Sequence, residues 1–249
     1  MKITIIGAGN MGGALIKGWA KATRKGDANL DITITAHTQK TLDKFIAEYP
    51  ELHATLNNKE AVEGADVIIL AVKPWLIDSV IAELGDAIND KTMISVAAKA
   101  KNDAIMAYAM PNIAAEFGEA MTFIQAGGES NAMKLAEELF SLVGKVMIAD
   151  EKAYMAGNMM AGCGIAYIMR FVRAMMEGGV EMGLYPNDAK DIALQAMQGA
   201  VTLLNETGLH PEAAIDKVTT PGGLTIKGLN ELDHSGFNSA VIKCLKAGL

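Results

Sequence analysis

Residues 2–22 read KITIIGAGNMGGALIKGWAKA. A short, mostly β-branched run, KITII, leads into glycines at positions 7, 9 and 12, spaced G-x-G-x-x-G. Apolar Met11, Leu15, Ile16 and Trp19 then recur at helical spacing. A strand, a glycine turn and a helix start, in that order, give this fingerprint its mechanism. Gly7 allows the tight turn, Gly9 lets the backbone approach a pyrophosphate, and Gly12 lets the helix lie close against the strand. The first amides of the helix, at Asn10 and Met11, then face the phosphates, aided by the helix dipole. The alternative for the same residues is a glycine turn of structural use alone.

Downstream, the pattern keeps alternating. DITITA (31–36), DVIILAV (66–72) and TMISVAA (92–98) read as strands, and IMAYAM (105–110) and EAMTFIQAG (119–127) as two further short ones. DVIILAV is uncharged after its first residue, as a strand buried on both faces should be. Helical segments stand between them at 41–50, 58–65, 76–88 and 131–144, and KVMIAD follows at 145–150. The order predicts an α/β fold: an N-terminal Rossmann-like, doubly wound, mainly parallel sheet. From residue 151 onward the sequence offers no strand. Helices are expected at 151–178, 187–207, 211–218 and 225–247, punctuated by Gly178–Gly179, Pro186, Gly208 and Pro211. Two domains follow: 1–150 for the dinucleotide, and an all-helical 151–249.

Composition narrows the partners. A net charge of −7 argues against a nucleic-acid or anionic-membrane surface. Two distant cysteines, Cys163 and Cys244, make neither a disulfide framework nor a zinc pattern, so no metal is expected and a reducing cytoplasm fits. The N-terminal apolar run is too short for a signal peptide. The charge-free stretch 153–169, AYMAGNMMAGCGIAYIM, is short for a span and rich in small residues and methionine. It reads as a helix buried between subunits rather than in a membrane.

The cofactor is read from the end of the second strand. An NAD site places Asp or Glu there for the ribose 2′-hydroxyl. This chain has TITAHTQK, with Ala36, His37, Thr38 and Lys40 and no carboxylate. A 2′-phosphate is therefore accommodated and NADP is favoured, with NAD as the alternative. AVKPW (71–75) ends another strand, where ligands of such sheets collect; Lys73 faces either a phosphate or solvent. Late in the chain, VTTPGGLTIKGL (218–229) puts one proline, two adjacent glycines and three threonines between helical segments. It is either a helix connection or a binding loop.

Taken together, IGAGNMG, AVKPW, MPN (110–112) and HPEAAID-V-TTPGGLTIKGL (210–229) resemble the pyrroline-5-carboxylate reductase family from end to end. The resemblance implies a nucleotide-binding domain, a helical domain that forms a homodimer or larger homo-oligomer, and a small cyclic imine carboxylate as substrate. It implies that Thr220, Gly222, Gly223 and Leu224 hold the carboxylate and that the Thr225 hydroxyl meets the ring nitrogen. It adds Asn58, next to Asn57, and Ala71, Val72, Lys73, Pro74 and Ala97 to the cofactor contacts. A protonated imine accepts hydride directly, so the lack of an obvious catalytic base is compatible with the activity. The chain departs from the family at Lys99, at Tyr108 in place of an arginine, and at AGCGIAY (161–167) in place of SGSGPAY. Two other readings are a β-hydroxyacid dehydrogenase, whose long-helix lysine is missing from GNMMAGCGIAYIMRF (157–171), and a non-catalytic NADP-binding sensor or scaffold.

Overall fold

A computed structural model describes residues 1–98, 102–125 and 130–248. The chain runs β1 (Lys2–Ile6), α1 (Asn10–Lys25), β2 (Asp31–Thr35), α2 (Gln39–Glu48), β3 (His53–Thr55), α3 (Asn58–Ala61), β4 (Val67–Leu70), α4 (Ile77–Leu84) and β5 (Thr92–Ser95). It continues through β6 (Ala107–Met110), β7 (Ala120–Gln125), α5 (Ser130–Ser141), β8 (Gly144–Ala149) and α6 (Glu151–Gly157). The strands form one sheet in the order β3-β2-β1-β4-β5-β6-β7-β8, and all neighbours are parallel except β6 and β7.

Alternation along the central strands builds two cores. Ile3 and Ile5 of β1, with Val67 and Ile69 of β4, face a cluster holding Leu15, Trp19, Leu42 and Phe140. Ile6, Ile68 and Leu70 face the opposite cluster with Val62, Ile77, Val80 and Leu84. Burial on both faces explains why VIIL has no polar position. Trp19 is fully buried, and its indole N–H donates to the Leu139 carbonyl at 2.8 Å, which ties α1 to α5. β1 pairs with β2 on one side and β4 on the other, so the chain changes direction there and leaves a crevice at the strands' carboxyl ends.

The structure differs from the sequence reading in four places. β3 was not expected; it is only three residues long and is defined by its pairing of Thr33 with His53 and Thr35 with Thr55. His53 thus lies on a strand, not in a helix or loop. The expected helix at 151–178 is α6, a π-helical turn at Asn158–Cys163, and α7 (Gly164–Glu181). The expected helix at 225–247 is broken: α10 (Leu224–His234) and α11 (Phe237–Lys246) meet at Gly236, whose φ of 76° lies in the left-handed region. Packing divides the chain into Met1–Gly162 and Cys163–Leu249, later than the strand-to-helix change at 150–151. α6 explains that difference, because it packs on β7 and β8: Tyr154 is buried beside Phe123, and a Cβ at Gly157 would overlap the Phe123 ring. Burial pushes the Tyr154 phenol up to about 12.

The second unit contains α7, α8 (Pro186–Thr207), α9 (Pro211–Val218), α10 and α11. A Cβ at Gly179 would lie 3.0 Å from the Ala189 Cβ, so the glycine lets α7 lie close to α8, and Phe171 and Phe237 approach with ring centroids 5.9 Å apart. Little of its apolar surface is covered. Ile168, Met169, Ile192, Val201 and Ile242 are each more than half exposed. Glu151–Glu181 is long and apolar enough, by length and composition, to cross a membrane; its last turns carry Arg173 paired with Glu177 at 2.9 Å.

Candidate active site

The crevice at the carboxyl ends of β1, β2 and β4 is a cleft of about 790 Å³. Gly7, Gly9, Asn10, Met11, His37, Asn58, Ala71, Val72 and Lys73 all line it. The glycines stand where the fingerprint's mechanism needs them. Gly7 has φ of +104°, and a Cβ there would lie 2.9 Å from the Ala71 carbonyl oxygen. Gly12 sits beneath the turn; a Cβ there would overlap the Gly7 carbonyl. A Cβ at Gly9 would meet no protein atom within 4 Å, so the space it would fill is the open cleft. α1 begins at Gly9 with no side-chain cap and no acidic residue in its first turn. Its free amides make a cradle for a pyrophosphate, and the residues present fit a dinucleotide.

Two pairs of neighbouring polar residues are divided between structure and site. Thr38 caps α2, its hydroxyl oxygen accepting from the Thr41 amide at 3.3 Å, while Thr41 lines the cleft. Asn57 caps α3, accepting from the Lys59 and Glu60 amides at 3.0 and 3.3 Å, while Asn58 lines the cleft. Pro74 begins the 3₁₀ turn Pro74–Leu76 behind Lys73. Ala97 is buried, its amide donating to Ser95 Oγ at 3.2 Å, and it stands outside the lining. Motif reasoning missed Leu76, Ser79, Val80 and Glu83, which also line the cleft. Their three- and four-residue spacing after AVKPW was the available signal, since it puts them on one face of a helix.

The TPGG loop belongs to the second unit. Gly222 has φ of +73°, and the Gly223 amide donates to the Thr220 carbonyl at 2.9 Å, which closes the turn. α10 starts at Gly223 without a side-chain cap or an acidic residue in its first turn. Leu224 and Thr225 are exposed there. The loop is thus an uncapped helix start with free amides and two hydroxyls, Thr220 and Thr225, suited to a carboxylate. Of the departures, the Tyr108 hydroxyl accepts from the Asn102 amide at 3.0 Å, and Ala161 offers its carbonyl to Asn112 Nδ2 at 3.2 Å. Lys99 lies outside the described residues. Among the described residues, no group of three or more His, Cys, Asp or Glu is placed to hold a metal ion.

A family model described as pyrroline-5-carboxylate reductase dimerisation matches residues 151–249, and one described as NADP oxidoreductase, coenzyme F420-dependent, matches residues 2–99. The pyrroline-5-carboxylate reductase of Methanosarcina acetivorans is 33% identical over 98% of this chain and 94% of its own length. The chain belongs to the pyrroline-5-carboxylate reductase family. Pyrroline-5-carboxylate reductase 1 of Dictyostelium discoideum is 32% identical over 97% of this chain, which spans 47% of that longer protein. The structure of 1-pyrroline-5-carboxylate reductase from Streptococcus pyogenes superposes with a TM-score of 0.82 at 27% identity, covering 99% of this chain and 97% of that one. Both units of the chain therefore lie within the family's fold.

Proposed function

We propose that this chain reduces 1-pyrroline-5-carboxylate to L-proline with NADPH, the activity its family is named for. The observation that carries the reading is the uncapped start of α10, with Thr225 in its first turn, in a chain whose start of α1 at Gly9, likewise uncapped, suits a pyrophosphate. When bound, NADPH supplies the hydride that adds to the imine carbon. The chain's own residues bind and orient. The amides of Asn10 and Met11 hold the pyrophosphate, over a turn shaped by Gly7, Gly9 and Gly12. His37 and Thr41, with Thr38 capping α2 beside them, receive the 2′-phosphate where NAD enzymes place an acid. Ala71, Val72, Lys73 and Pro74 border the cofactor, and the Ala97 backbone lies toward the nicotinamide. Thr220, Gly222, Gly223 and Leu224 hold the carboxylate. The Thr225 hydroxyl orients the ring nitrogen, whose proton comes from water. Substrate positioning rather than acid–base chemistry carries the rate.

The helical unit takes a second copy of this chain as its partner. Its exposed isoleucines, valine and methionine need a cover, and the matched family model is one of dimerisation. We place the enzyme in the cytoplasm, where free Cys163 and Cys244 stay reduced. Its domains are taken as 1–150 and 151–249 by function, with α6 packed on the sheet.

NADPH oxidation is followed with pyrroline-5-carboxylate, beside NADH and a six-membered imine acid. Rapid oxidation with the five-membered imine is the expected result. Thr225→Ala should then lower kcat/KM for the imine about 100-fold, a loss of ~2.7 kcal/mol, and leave the NADPH Kd within about twofold. NADPH binding without oxidation of any imine would instead support the sensor reading.

A further inference from the structure

Among the described residues lining the cofactor cleft, Glu83 is the one carboxylate. Its Oε2 accepts a hydrogen bond from Asn58 Nδ2 at 3.1 Å. The two residues come from different elements, Asn58 from the first turn of α3 and Glu83 from the last turn of α4. An ionised carboxylate has acceptors only, so the amide nitrogen must be the atom that faces it. The orientation of the Asn58 amide is thereby fixed: nitrogen toward Glu83, oxygen away. The Asn58 backbone is held separately. Asn57 caps the helix, the Asn57 amide donates to Thr55 Oγ1 at 3.1 Å, and Thr55 Oγ1 donates to Glu60 at 2.9 Å. Among the described residues, Asn58 Oδ1 accepts no hydrogen bond, although its residue lines the cleft.

We infer that Glu83 is a positioning residue for the cofactor: it holds Asn58 so that a hydrogen-bond acceptor, not a donor, is offered to the adenosine half of the dinucleotide. An acceptor selects a donor, and the donors common to NADPH and NADH there are the adenine amino group and a ribose hydroxyl. An asparagine free to turn would offer its nitrogen to phosphate oxygens instead. In this way a carboxylate standing in an anion-binding cleft serves cofactor recognition without touching the cofactor. The inference rests on the reading of the cleft as a dinucleotide site.

The test is binding, read by nucleotide fluorescence, for NADPH and NADH with the full-length protein. Glu83→Ala should weaken both by about tenfold, since a misdirected amide forfeits one hydrogen bond and leaves a repulsive pairing. Glu83→Gln, which keeps an acceptor of the same size, should lose less, about threefold or under. The diagnostic arm is the double variant. In an Asn58→Ala background, Glu83→Ala should cost nothing further, because the residue acts only through Asn58. In steady-state assays of Glu83→Ala, KM for NADPH should rise more than kcat falls. Unchanged affinities in Glu83→Ala would overturn the inference, as would an equal loss with Asn58 already removed. Tighter binding of NADPH alone would also overturn it, by showing that Glu83 acts through charge on the 2′-phosphate. Should Glu83→Ala not fold, Glu83→Gln and Asn58→Asp decide: Asn58→Asp sets two carboxylates together and must weaken both cofactors. A wild-type protein that binds NADPH but leaves the imine untouched would overturn the reductase reading and leave this inference standing.

Discussion

Gly9→Ala separates the fold from the site. Gly9 has φ of −78° and ψ of −161°, extended backbone that alanine adopts, and the added methyl would meet no protein atom within 4 Å. The folded protein should accept it without strain. Replacing glycine at a compatible position stabilises by ~0.4–1 kcal/mol through the unfolded chain. For a chain of this size that is a rise in Tm of roughly 1–4 °C. The bound state should behave oppositely, because the methyl stands where the pyrophosphate must approach. Losing one charge-assisted hydrogen bond costs ~1.5–3 kcal/mol, a fall in affinity of about 10- to 150-fold. At NADPH 100 times the wild-type Kd, ligand adds ~2.7 kcal/mol to the wild type and about 0.3–1.4 kcal/mol to the variant. Thermal melts with and without NADPH, beside a fluorescence titration, read both quantities. An apo Tm several degrees below wild type would refute the open-cleft geometry. An undiminished NADPH shift would refute the approach of the pyrophosphate at Gly9. Gly12→Ala is the contrasting control: its methyl meets backbone, the Gly7 carbonyl, so the apo protein itself should lose ~1–3 kcal/mol.

Two further changes test other parts of the structure. Ile192→Glu with Val201→Glu places charge at two exposed positions on opposite sides of α8; sedimentation should show a dimer in the wild type and monomer in the variant, and a wild-type monomer would remove the proposed self-association. Trp19→Phe leaves the buried Leu139 carbonyl without its indole donor and should cost ~1–3 kcal/mol in denaturant melts, while the NADPH Kd stays within about twofold.

Local signals carried much of the fold. The apolar runs of β1 and β4 sit at the sheet centre, and the change to helices after Ala149 stands as the sequence indicated. What failed was short or depended on a partner. β3 has too few residues for a period and exists because β2 offers a free edge. The π-helical turn at Asn158–Cys163 has no sequence period of its own; a Cβ at Gly162 would overlap Asn158 Oδ1, and the neighbouring Ala161 carbonyl is taken up by Asn112. Gly236 was visible, but one glycine in a helical pattern does not announce a break until its φ is known.

The site shows the same division. By itself the sequence determined the pyrophosphate cradle, because spacing along a single strand–turn–helix already fixes where Gly7, Gly9 and Gly12 stand. It also determined the uncapped start of α10, because Pro221, Gly222 and Gly223 act within one turn. Only the tertiary structure set Thr38 at the cap of α2 and Thr41 on the cleft, set Asn57 at the cap of α3 and Asn58 on the cleft, and brought Glu83 there. Each of those assignments turns on which group a side chain finds across a gap between elements. A hydroxyl or amide has the same chemistry whether it caps a helix or faces a ligand, and its neighbours in space, not in sequence, settle which.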